Sequence, residues 1–262
     1  RALRVSRGVE TPGSSSDIYA RRFNAAGDAQ GTEFRVNNYT TGAQLDSSIA
    51  MDSDGDFVVT WGSIGQDGSF YGVYARRFSA AGTAQADQFR VNTYTTGHQR
   101  FPRVAMDAGG DFVVVWNSEN QASGASAFDV YAQRYNAAGA AQGGEFLVNA
   151  YTTGNQFFGA VAMDADGDFI VTWSTYGQGN GSETYAQRYN AAGVAQGSEF
   201  QVNAYTTGNQ GSPTIAMDAD GDFVVAWFSN GQDGDNYGVY AQRFTAAGAT
   251  SGAEFRINSY IT

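Results

Sequence analysis

The chain has 262 residues, with 15 Arg, 26 acidic residues, 34 Gly and no Cys, and its formal net charge is −11 at pH 7. A negative charge without a basic tract argues against nucleic acid as a partner, and the absence of Cys excludes a disulfide framework. No apolar run approaches the ~20 residues of a membrane-spanning helix. We therefore expect a secreted or cell-surface bacterial protein that has no membrane span.

A pentapeptide of the form Tyr-Ala-Arg/Gln-Arg-Phe/Tyr occurs five times along the chain. Its copies occupy residues 19–23, 74–78, 131–135, 185–189 and 240–244. The copies begin about 55 residues apart, and a constant spacing of this size is the signature of a repeated supersecondary unit. The sequence therefore predicts five copies of one unit.

Each unit is predicted to contain four short strands, A to D. In the last copy these strands cover residues 213–217, 223–229, 237–244 and 254–258. The segments are rich in Val, Ile, Phe, Tyr and Trp, they are bounded by Gly, Asn and Asp, and no segment has a helical period. Asp-Gly between strands A and B predicts a tight two-residue hairpin, because Gly tolerates a positive φ. The Trp near the end of each strand B is predicted to lie in the core.

Four antiparallel strands in about 55 residues are typical of a β-propeller blade. The predicted fold is therefore an all-β, five-bladed β-propeller of four-stranded antiparallel blades, formed by one domain over residues 1–262. Its units cover approximately residues 1–44, 45–100, 101–156, 157–210 and 211–262. A β-trefoil would need three units, and an immunoglobulin-type sandwich needs roughly 100 residues.

The first unit is predicted to be incomplete. Ser6 precedes Tyr19 by the same 13 positions that separate Trp61 from Tyr74, so residues 1–6 occupy the place of strand B and strand A is missing. Three explanations are open: a fragment of a longer protein, which we favour; a three-stranded first blade; or a neighbouring chain that completes the sheet edge. Self-association through this blade follows from the third.

The turn between strands A and B carries acids at alternate positions. Such carboxylates can converge on a hard cation, and Ca²⁺ takes six to eight oxygen ligands. Alternatively, Asp-Gly only forms a hairpin and the flanking acids are solvated. The predicted Ca²⁺ ligands are Asp52, Asp54, Asp56, Asp164, Asp166, Asp168, Asp218, Asp220 and Asp222.

The loops between strands B and C vary in length while the strands do not, and function concentrates in such loops on a rigid scaffold. Their aromatic, amide and acidic side chains are suited to stacking on a sugar and binding its hydroxyl groups. Alternatively, they are ordinary polar surface loops. The predicted ligand-binding residues are Gln66, Asp67, Tyr71, Asn120, Phe128, Tyr176, Gln178, Asn180, Gln232, Asp233 and Tyr237.

Three repeated motifs carry a resemblance to known proteins: Asp-x-Asp-Gly-Asp-Phe-Val-Val-x-Trp, Val-Tyr-Ala-Gln-Arg-Phe and Glu-Phe-x-Val-Asn-x-Tyr-Thr-Thr-Gly. Through them nearly the whole chain resembles the tandem propeller-like repeats of large secreted bacterial surface proteins. The acidic turn partly resembles the calcium loops of FG-GAP repeats, but Gly precedes the third Asp here and no later acid follows it. The resemblance implies no particular activity.

The acids recur copy by copy, whereas an active site needs an asymmetric group, and the single His98 occupies a variable loop position. The sequence therefore predicts a non-enzymatic, multivalent binding module for glycans or other extracellular surface components, in which weak sites gain strength by avidity. A structural or assembly subunit of a filament or coat is the alternative. A glycan-cleaving enzyme with paired carboxylates is the third possibility.

Overall fold

A computed structural model describes residues 2–7, 16–122, 127–179 and 181–259 of the protein. These residues form 19 β-strands connected by turns and loops, and they contain no helix. No helix capable of crossing a membrane therefore occurs in this part of the chain. The all-β class and the repeated four-stranded antiparallel sheets that the sequence predicts are confirmed.

The strands form one three-stranded sheet and four four-stranded sheets within the described residues. The first sheet contains β1 (Ala2–Arg7), β2 (Ile18–Phe23) and β3 (Ala29–Arg35) in that order. The second contains β4 (Gln44–Met51), β5 (Phe57–Ile64), β6 (Tyr71–Phe78) and β7 (Phe89–Arg90). The third contains β8 (Gln99–Met106), β9 (Phe112–Glu119), β10 (Phe128–Tyr135) and β11 (Phe146–Leu147). The fourth contains β12 (Gln156–Met163), β13 (Phe169–Tyr176), β14 (Ser182–Tyr189) and β15 (Phe200–Gln201). The last sheet contains β16 (Gln210–Met217), β17 (Phe223–Asn230), β18 (Tyr237–Phe244) and β19 (Phe255–Arg256).

The chain divides into two compact units. Unit 1 contains residues Arg1–Glu119 and Gln133–Glu145, and unit 2 contains Asn120–Ala132 and Phe146–Thr262. The boundary passes through β10, so this strand contributes residues to both units. The prediction of a single domain stays a prediction.

The first sheet has the strands that the repeat spacing predicts. Ser6 of β1 pairs with Tyr19 of β2, as Trp61 of β5 pairs with Tyr74 of β6. β1 therefore occupies the place of strand B, and the sheet consists of β1, β2 and β3.

The turn between strands A and B differs from the two-residue hairpin that Asp-Gly predicts. The Asp52 N–H donates to the Asp56 carbonyl at 3.0 Å, and the Gly55 N–H donates to the Asp52 carbonyl at 3.2 Å. Three residues therefore lie between the bonded pair, and Gly55 takes the left-handed conformation with a φ of 91°. This is the three-residue hairpin that ends in a glycine bulge, so the two-residue prediction is wrong.

In β5, β9 and β13, strand B is buried on both faces, which explains its nearly continuous apolar sequence, whereas in β17 every second residue is only half-buried. The indole of each strand-B Trp is almost fully buried, as the sequence predicts, and these residues are Trp61, Trp116, Trp173 and Trp227. At the other end of the strand, Phe57 stacks on Phe78 with ring centroids 5.1 Å apart. The same stacked pair recurs between Phe223 and Phe244 at 4.8 Å. Burial of these large rings stabilises the four-stranded sheets.

Candidate functional site

A β-bulge with strained backbone lies near the start of every strand A. The bulge follows a buried Gln and shifts the register, for example between Leu45 and Ser48 in β4. One non-glycine residue in each bulge has a positive φ; these residues are Asp46 (55°), Phe101 (56°), Phe158 (57°) and Ser212 (47°). Such conformations cost about 1–3 kcal/mol and concentrate at functional sites. The bulges therefore indicate that a functional site would lie at the edge where each strand A begins.

In unit 1, this edge brings together side chains from β4, β6, β8 and β9. The Val104 N–H donates to the Ser48 hydroxyl at 3.3 Å, which places β4 beside β8. The His98 ring precedes β8 and lies 4.7 Å from the Phe70 ring and 5.5 Å from the Tyr71 ring, measured between centroids. The edge thus has an aromatic surface, of which the Phe70 ring is 61% exposed.

Two acids at this edge occur in one copy of the repeat only. Asp46 is exposed at the β4 bulge, where the other copies have Phe101, Phe158 and Ser212. Glu119 ends β9, where the matching strands end in Ile64, Tyr176 and Asn230. The His98 N–H donates to Glu119 Oε2 at 3.1 Å and thereby orients this carboxylate. Unit 1 therefore has two acids that depart from the repeat, and one of them, Glu119, is held beside His98.

In unit 2, the same edge carries an aromatic shelf formed by Phe128, Phe157, Phe158 and Tyr176. The centroid of Phe157 lies 4.9 Å from that of Phe128, 5.8 Å from that of Phe158 and 6.2 Å from that of Tyr176. Phe158 is 42% exposed and Tyr176 is 38% exposed. The Asn155 side chain accepts the Phe128 N–H at 3.0 Å and so fixes the start of β10 beneath the shelf. Exposed rings held in this way can stack on an apolar sugar face.

A buried Asn near the end of each strand D connects strand C to the following turn. In the third sheet, Asn149 Oδ1 accepts the Val130 N–H at 2.7 Å. Asn149 Nδ2 donates to Asp129 Oδ1 at 2.8 Å and to the Tyr151 carbonyl at 3.0 Å. Asn37 and Asn203 make the matching contacts with Asp17 and Glu183. The buried acids Asp129 and Glu183 and the half-buried Asp17 therefore have a structural role.

Asp129 is the most deeply buried acid of this set. It is fully buried, and Oδ2 has no hydrogen-bond partner among the described residues. Burial raises the pKa of Asp129 above its ordinary value, and the hydrogen bond from Asn149 opposes this rise only in part. The charged carboxylate therefore destabilises the folded state at neutral pH.

We expect Asp129→Asn to raise the free energy of unfolding at pH 7. Because the folded-state pKa lies above the unfolded-state pKa, the native carboxyl binds more protons than the unfolded one between these two values. The stability that the carboxyl contributes therefore falls as the pH rises from the unfolded-state pKa through the folded-state pKa. The gain from the substitution should therefore be largest above the folded-state pKa and absent below the ordinary Asp range. Urea denaturation of both proteins at pH 7 and pH 3 checks this, and stability curves that stay parallel across pH would contradict it.

In two copies strand C has a glycine, Gly72 or Gly238, at the position of Asp129. An acid of the B–C loop occupies the space beside this glycine. A Cβ atom at Gly72 would lie 2.7 Å from Asp67 Oδ2, and one at Gly238 would lie 3.0 Å from Asp233 Oδ2. Asp233 also forms an ion pair with Arg256 at 3.5 Å. Both acids thus fill the space beside a glycine of strand C, so they help to hold the loop in place.

The other predicted ligand-binding residues have varied surroundings. Gln66 and Gln178 accept hydrogen bonds from the hydroxyl groups of Ser63 (2.9 Å) and Thr175 (3.3 Å). Gln232 donates to Glu254, and the Asn120 N–H donates to the Ala127 carbonyl. Tyr71, Phe128 and Tyr176 lie in the aromatic surfaces described above, and Tyr237 is 64% exposed beside Phe228. Asn180 lies outside the described residues. A ligand role for this set stays a prediction.

The acids of the A–B turns bind backbone amides. Asp164 Oδ1 accepts the N–H groups of Asp166 (3.0 Å) and Asp168 (2.9 Å), and Asp168 Oδ1 accepts the Ala191 N–H of the C–D turn at 2.8 Å. Asp52 and Asp218 accept matching bonds in their own turns. Within the described ranges, no three His, Asp or Glu side chains meet in a group that could hold a metal. The Ca²⁺ hypothesis for these turns stays a prediction.

Asp46 and Glu119 are not among the predicted site residues, because the acids weighed for catalysis were those that recur from copy to copy. A signal was nevertheless present: the Gln before the bulge recurs in four copies, whereas positions 46 and 119 change from copy to copy together with their neighbours. An acid that departs from a repeat is a better catalytic candidate than one that follows it, because a single substrate is bound asymmetrically.

No protein-family model matches the chain, and no curated protein matches its sequence. Solved structures do share its fold. A protein of unknown function from Dyadobacter fermentans DSM 18053 is 10% identical, with 98% of this chain and 79% of that chain covered and a TM-score of 0.66. A thermostable family-43 glycoside hydrolase is also 10% identical, with 99% and 92% covered and a TM-score of 0.54. An α-L-arabinofuranosidase from Fusarium graminearum, solved with an iminosugar inhibitor, is 14% identical, with 84% and 68% covered and a TM-score of 0.57.

These comparisons correct two predictions. The prediction of a non-enzymatic binding module, with a structural subunit as its alternative, is wrong, because the two structures above that share the fold and have a named activity are a glycoside hydrolase and an α-L-arabinofuranosidase. The prediction that the chain is not an enzyme is wrong for the same reason. Both predictions rested on acids that recur copy by copy, and they gave no weight to the asymmetric pair Asp46 and Glu119. At 10–14% identity, the likeness itself shows the fold alone.

Proposed function

We propose that the protein hydrolyses glycosidic bonds, with Asp46 and Glu119 as its two catalytic carboxylates. The observation that carries this proposal is that the two acids break the repeat at the edge where strained bulges occur. Both acids belong to unit 1, and Glu119 accepts the backbone N–H of His98, whose ring packs against Phe70 and Tyr71. Arabinose-containing polysaccharides are the substrate class to test first, because a structure of this fold is an α-L-arabinofuranosidase.

Glycoside hydrolysis is carried out by two carboxylates that lie about 5–10 Å apart on either side of the scissile bond. One carboxylic acid protonates the oxygen of the leaving group while the other carboxylate activates a water molecule that attacks the anomeric carbon. Alternatively, the second carboxylate attacks the anomeric carbon itself, and water, deprotonated by the first carboxylate, then hydrolyses the glycosyl-enzyme bond. The aromatic surface supplies the stacking that holds a sugar ring in position, and Glu119 is oriented by the His98 N–H. The aromatic shelf of unit 2 provides a further surface on which sugar rings can stack.

The remaining predictions about architecture and context belong to the same proposal. The five sheets recur about every 55 residues, as the blades of a five-bladed propeller would. An enzyme that degrades polysaccharides would act outside the cell, which agrees with the predicted secretion and with the resemblance to repeats of bacterial surface proteins. Glycans remain the predicted partners.

We expect Asp46→Asn and Glu119→Gln each to lower kcat by about 100-fold or more, because each substitution removes a proton donor or acceptor and keeps the shape of the side chain. The measurement uses 4-nitrophenyl α-L-arabinofuranoside and a panel of other 4-nitrophenyl glycosides, with the release of reducing sugar from arabinan as a second assay. Far-ultraviolet circular dichroism should show that both variants are folded.

Asp235→Asn is the matched control, because Asp235 is an exposed acid outside the proposed pair and the same charge is removed. It should retain the activity of the parent protein. Full activity in either catalytic variant would sink the assignment of that residue. Folded parent protein that cleaves no glycoside or polysaccharide of the panel would overturn the proposed function itself.

A further inference from the structure

Three residues of unit 1 that contact one another in sequence depart from the repeat. Glu119 ends β9, His98 directly precedes β8, and Phe70 ends the B–C loop of the second sheet. The His98 N–H donates to Glu119 Oε2 at 3.1 Å, and the centroid of the His98 ring lies 4.7 Å from that of Phe70. All three belong to the same compact unit. Variable residues that meet on a rigid scaffold are the arrangement expected of a binding site.

The loop that carries Phe70 recurs in the last sheet with a polar residue in its place. The Gly65 N–H donates to the Phe70 carbonyl at 2.7 Å, and the Gly231 N–H donates to the Asn236 carbonyl at the same distance. Both loops begin with Gly-Gln-Asp-Gly. The loop therefore forms without a phenyl ring, and yet the Phe70 ring is 61% exposed to water. Its place on the loop is explained by contact with a ligand.

The position of His98 also differs among the copies. The residues at this position each accept the N–H at the end of strand B through their carbonyl, and they are Ala43, His98, Asn155 and Asn209. Asn155 Oδ1 accepts the Phe128 N–H at the start of strand C, and Asn209 makes the matching bond in the next sheet. The His98 side chain instead lies against the ring of Phe70. An amide thus bonds to the backbone where the imidazole contacts a ring.

The two ring nitrogens of His98 have different surroundings. Nδ1 is buried and has no hydrogen-bond partner among the residues that the structure describes, whereas Nε2 is not buried. A proton on Nδ1 would be left without an acceptor, and a buried N–H without a partner is unfavourable. In its neutral form the imidazole therefore carries its proton on Nε2 and presents a hydrogen-bond donor to a ligand.

The Glu119 carboxylate is fixed beside this ring. A Cβ atom at Gly97 would lie 2.9 Å from Glu119 Oε2, the oxygen that accepts the His98 N–H. The Glu119 N–H in turn donates to the His98 carbonyl at 2.9 Å. Oε2 is thus held against the backbone, which leaves Oε1 for a ligand. A stacking ring, a donor and an acceptor therefore occur together.

We propose that Phe70, His98 and Glu119 form one sugar-binding subsite. A sugar stacks its C–H face on the Phe70 ring, and one of its hydroxyl groups accepts a hydrogen bond from His98 Nε2. A sugar suits this site because it combines an apolar face with hydroxyl groups at its edge, whereas a purely apolar ligand would leave the His98 donor unpaired. This inference rests on the proposed function, since it assigns contacts to the substrate on which Glu119 acts.

Nuclear magnetic resonance of isotope-labelled histidine tests the subsite directly. His98 is the only histidine of the chain, so its imidazole signals are identified without further assignment. Arabinotriose and xylotriose are titrated separately into the intact protein, and the signals of the sugar report cleavage in the same sample. The expected result is a proton on Nε2 and a shift of the imidazole signals that saturates with at least one of the two sugars.

Two variants take their residues from other copies of the repeat, which keeps the local backbone. Phe70→Asn should raise the dissociation constant of the bound sugar about tenfold, because it removes the stacking ring. His98→Asn should raise it about fivefold, the effect of one lost hydrogen bond. Val194→Asn is the matched control, since Val194 is an apolar residue that is 58% exposed outside the subsite, and it should bind like the parent protein. Isothermal titration calorimetry measures all four proteins.

The outcomes separate this subsite from the proposed hydrolysis. Cleavage without any shift of the His98 signals would overturn the subsite and leave the proposed function standing. Shifts that Phe70→Asn weakens, in a sample where no sugar is cleaved, would support the subsite and count against hydrolysis. A proton on Nδ1, or a Phe70→Asn variant that binds as tightly as the parent protein, would overturn the assigned contacts. Neither shift nor cleavage with both sugars would overturn the subsite as well.

Discussion

Replacing Trp61 with Ala is expected to lower the free energy of unfolding by about 4 kcal/mol, because truncating a buried Trp to Ala typically costs about 3–5 kcal/mol. The Trp61 side chain is fully buried, and its Nε1–H donates to Gln44 Oε1 at 3.1 Å. Gln44 is fully buried as well, so truncation removes a large ring and also leaves a buried amide oxygen without this donor. Both losses act on the strand A bulge that carries Asp46.

Urea denaturation at 25 °C followed by circular dichroism measures this effect. Tyr237→Ala is the control, because that ring is 64% exposed and its loss should change the free energy of unfolding by less than about 0.5 kcal/mol. A Trp61→Ala variant whose free energy of unfolding falls by less than about 1 kcal/mol would contradict this prediction and show that neighbouring side chains fill the space left by Trp61.

The sequence was sufficient to predict the strands because the repeat supplies five versions of the same pattern. Short apolar segments between turn residues predict strands at any one position, and the constant spacing predicts even that residues 1–6 occupy the place of strand B. The two-residue hairpin was wrong because Asp-Gly is compatible with more than one loop length. The bonded pair is Asp52 with Asp56, and side-chain bonds from Asp52 to Gly55 and Asp56 favour the longer turn.

The candidate site was harder to predict because its residues depart from the repeat. A positive φ at Asp46 or Phe158 comes from a register shift between strands, and no local turn sequence marks it. Asp67 and Asp233 show the opposite case. They resemble loop ligands in the sequence, whereas in the structure they occupy space beside Gly72 and Gly238. Contacts between distant segments decide both cases.

Asn149→Ala is expected to lower the free energy of unfolding by about 4 kcal/mol, because a buried polar group left without its partner costs about 1–3 kcal/mol and a charged group costs more. The substitution leaves the Val130 N–H without its acceptor and removes the bond from Asn149 to Asp129 Oδ1. That bond lowers the pKa of Asp129, so its loss raises this pKa further. The destabilisation should therefore be larger at pH 7 than at pH 3, where the carboxyl is protonated in both proteins.

Asn258→Ala separates this effect from the general loss of an Asn side chain. Asn258 Oδ1 accepts the Val239 N–H at 2.8 Å in the last sheet, but this contact is exposed, so water can replace the lost acceptor. The control should lose less than about 1 kcal/mol. The double variant Asn149→Ala/Asp129→Asn should recover part of the loss, since no buried charge remains to be neutralised. Equal losses in Asn149→Ala and Asn258→Ala would show that burial of the acid is not what makes the Asn contact important.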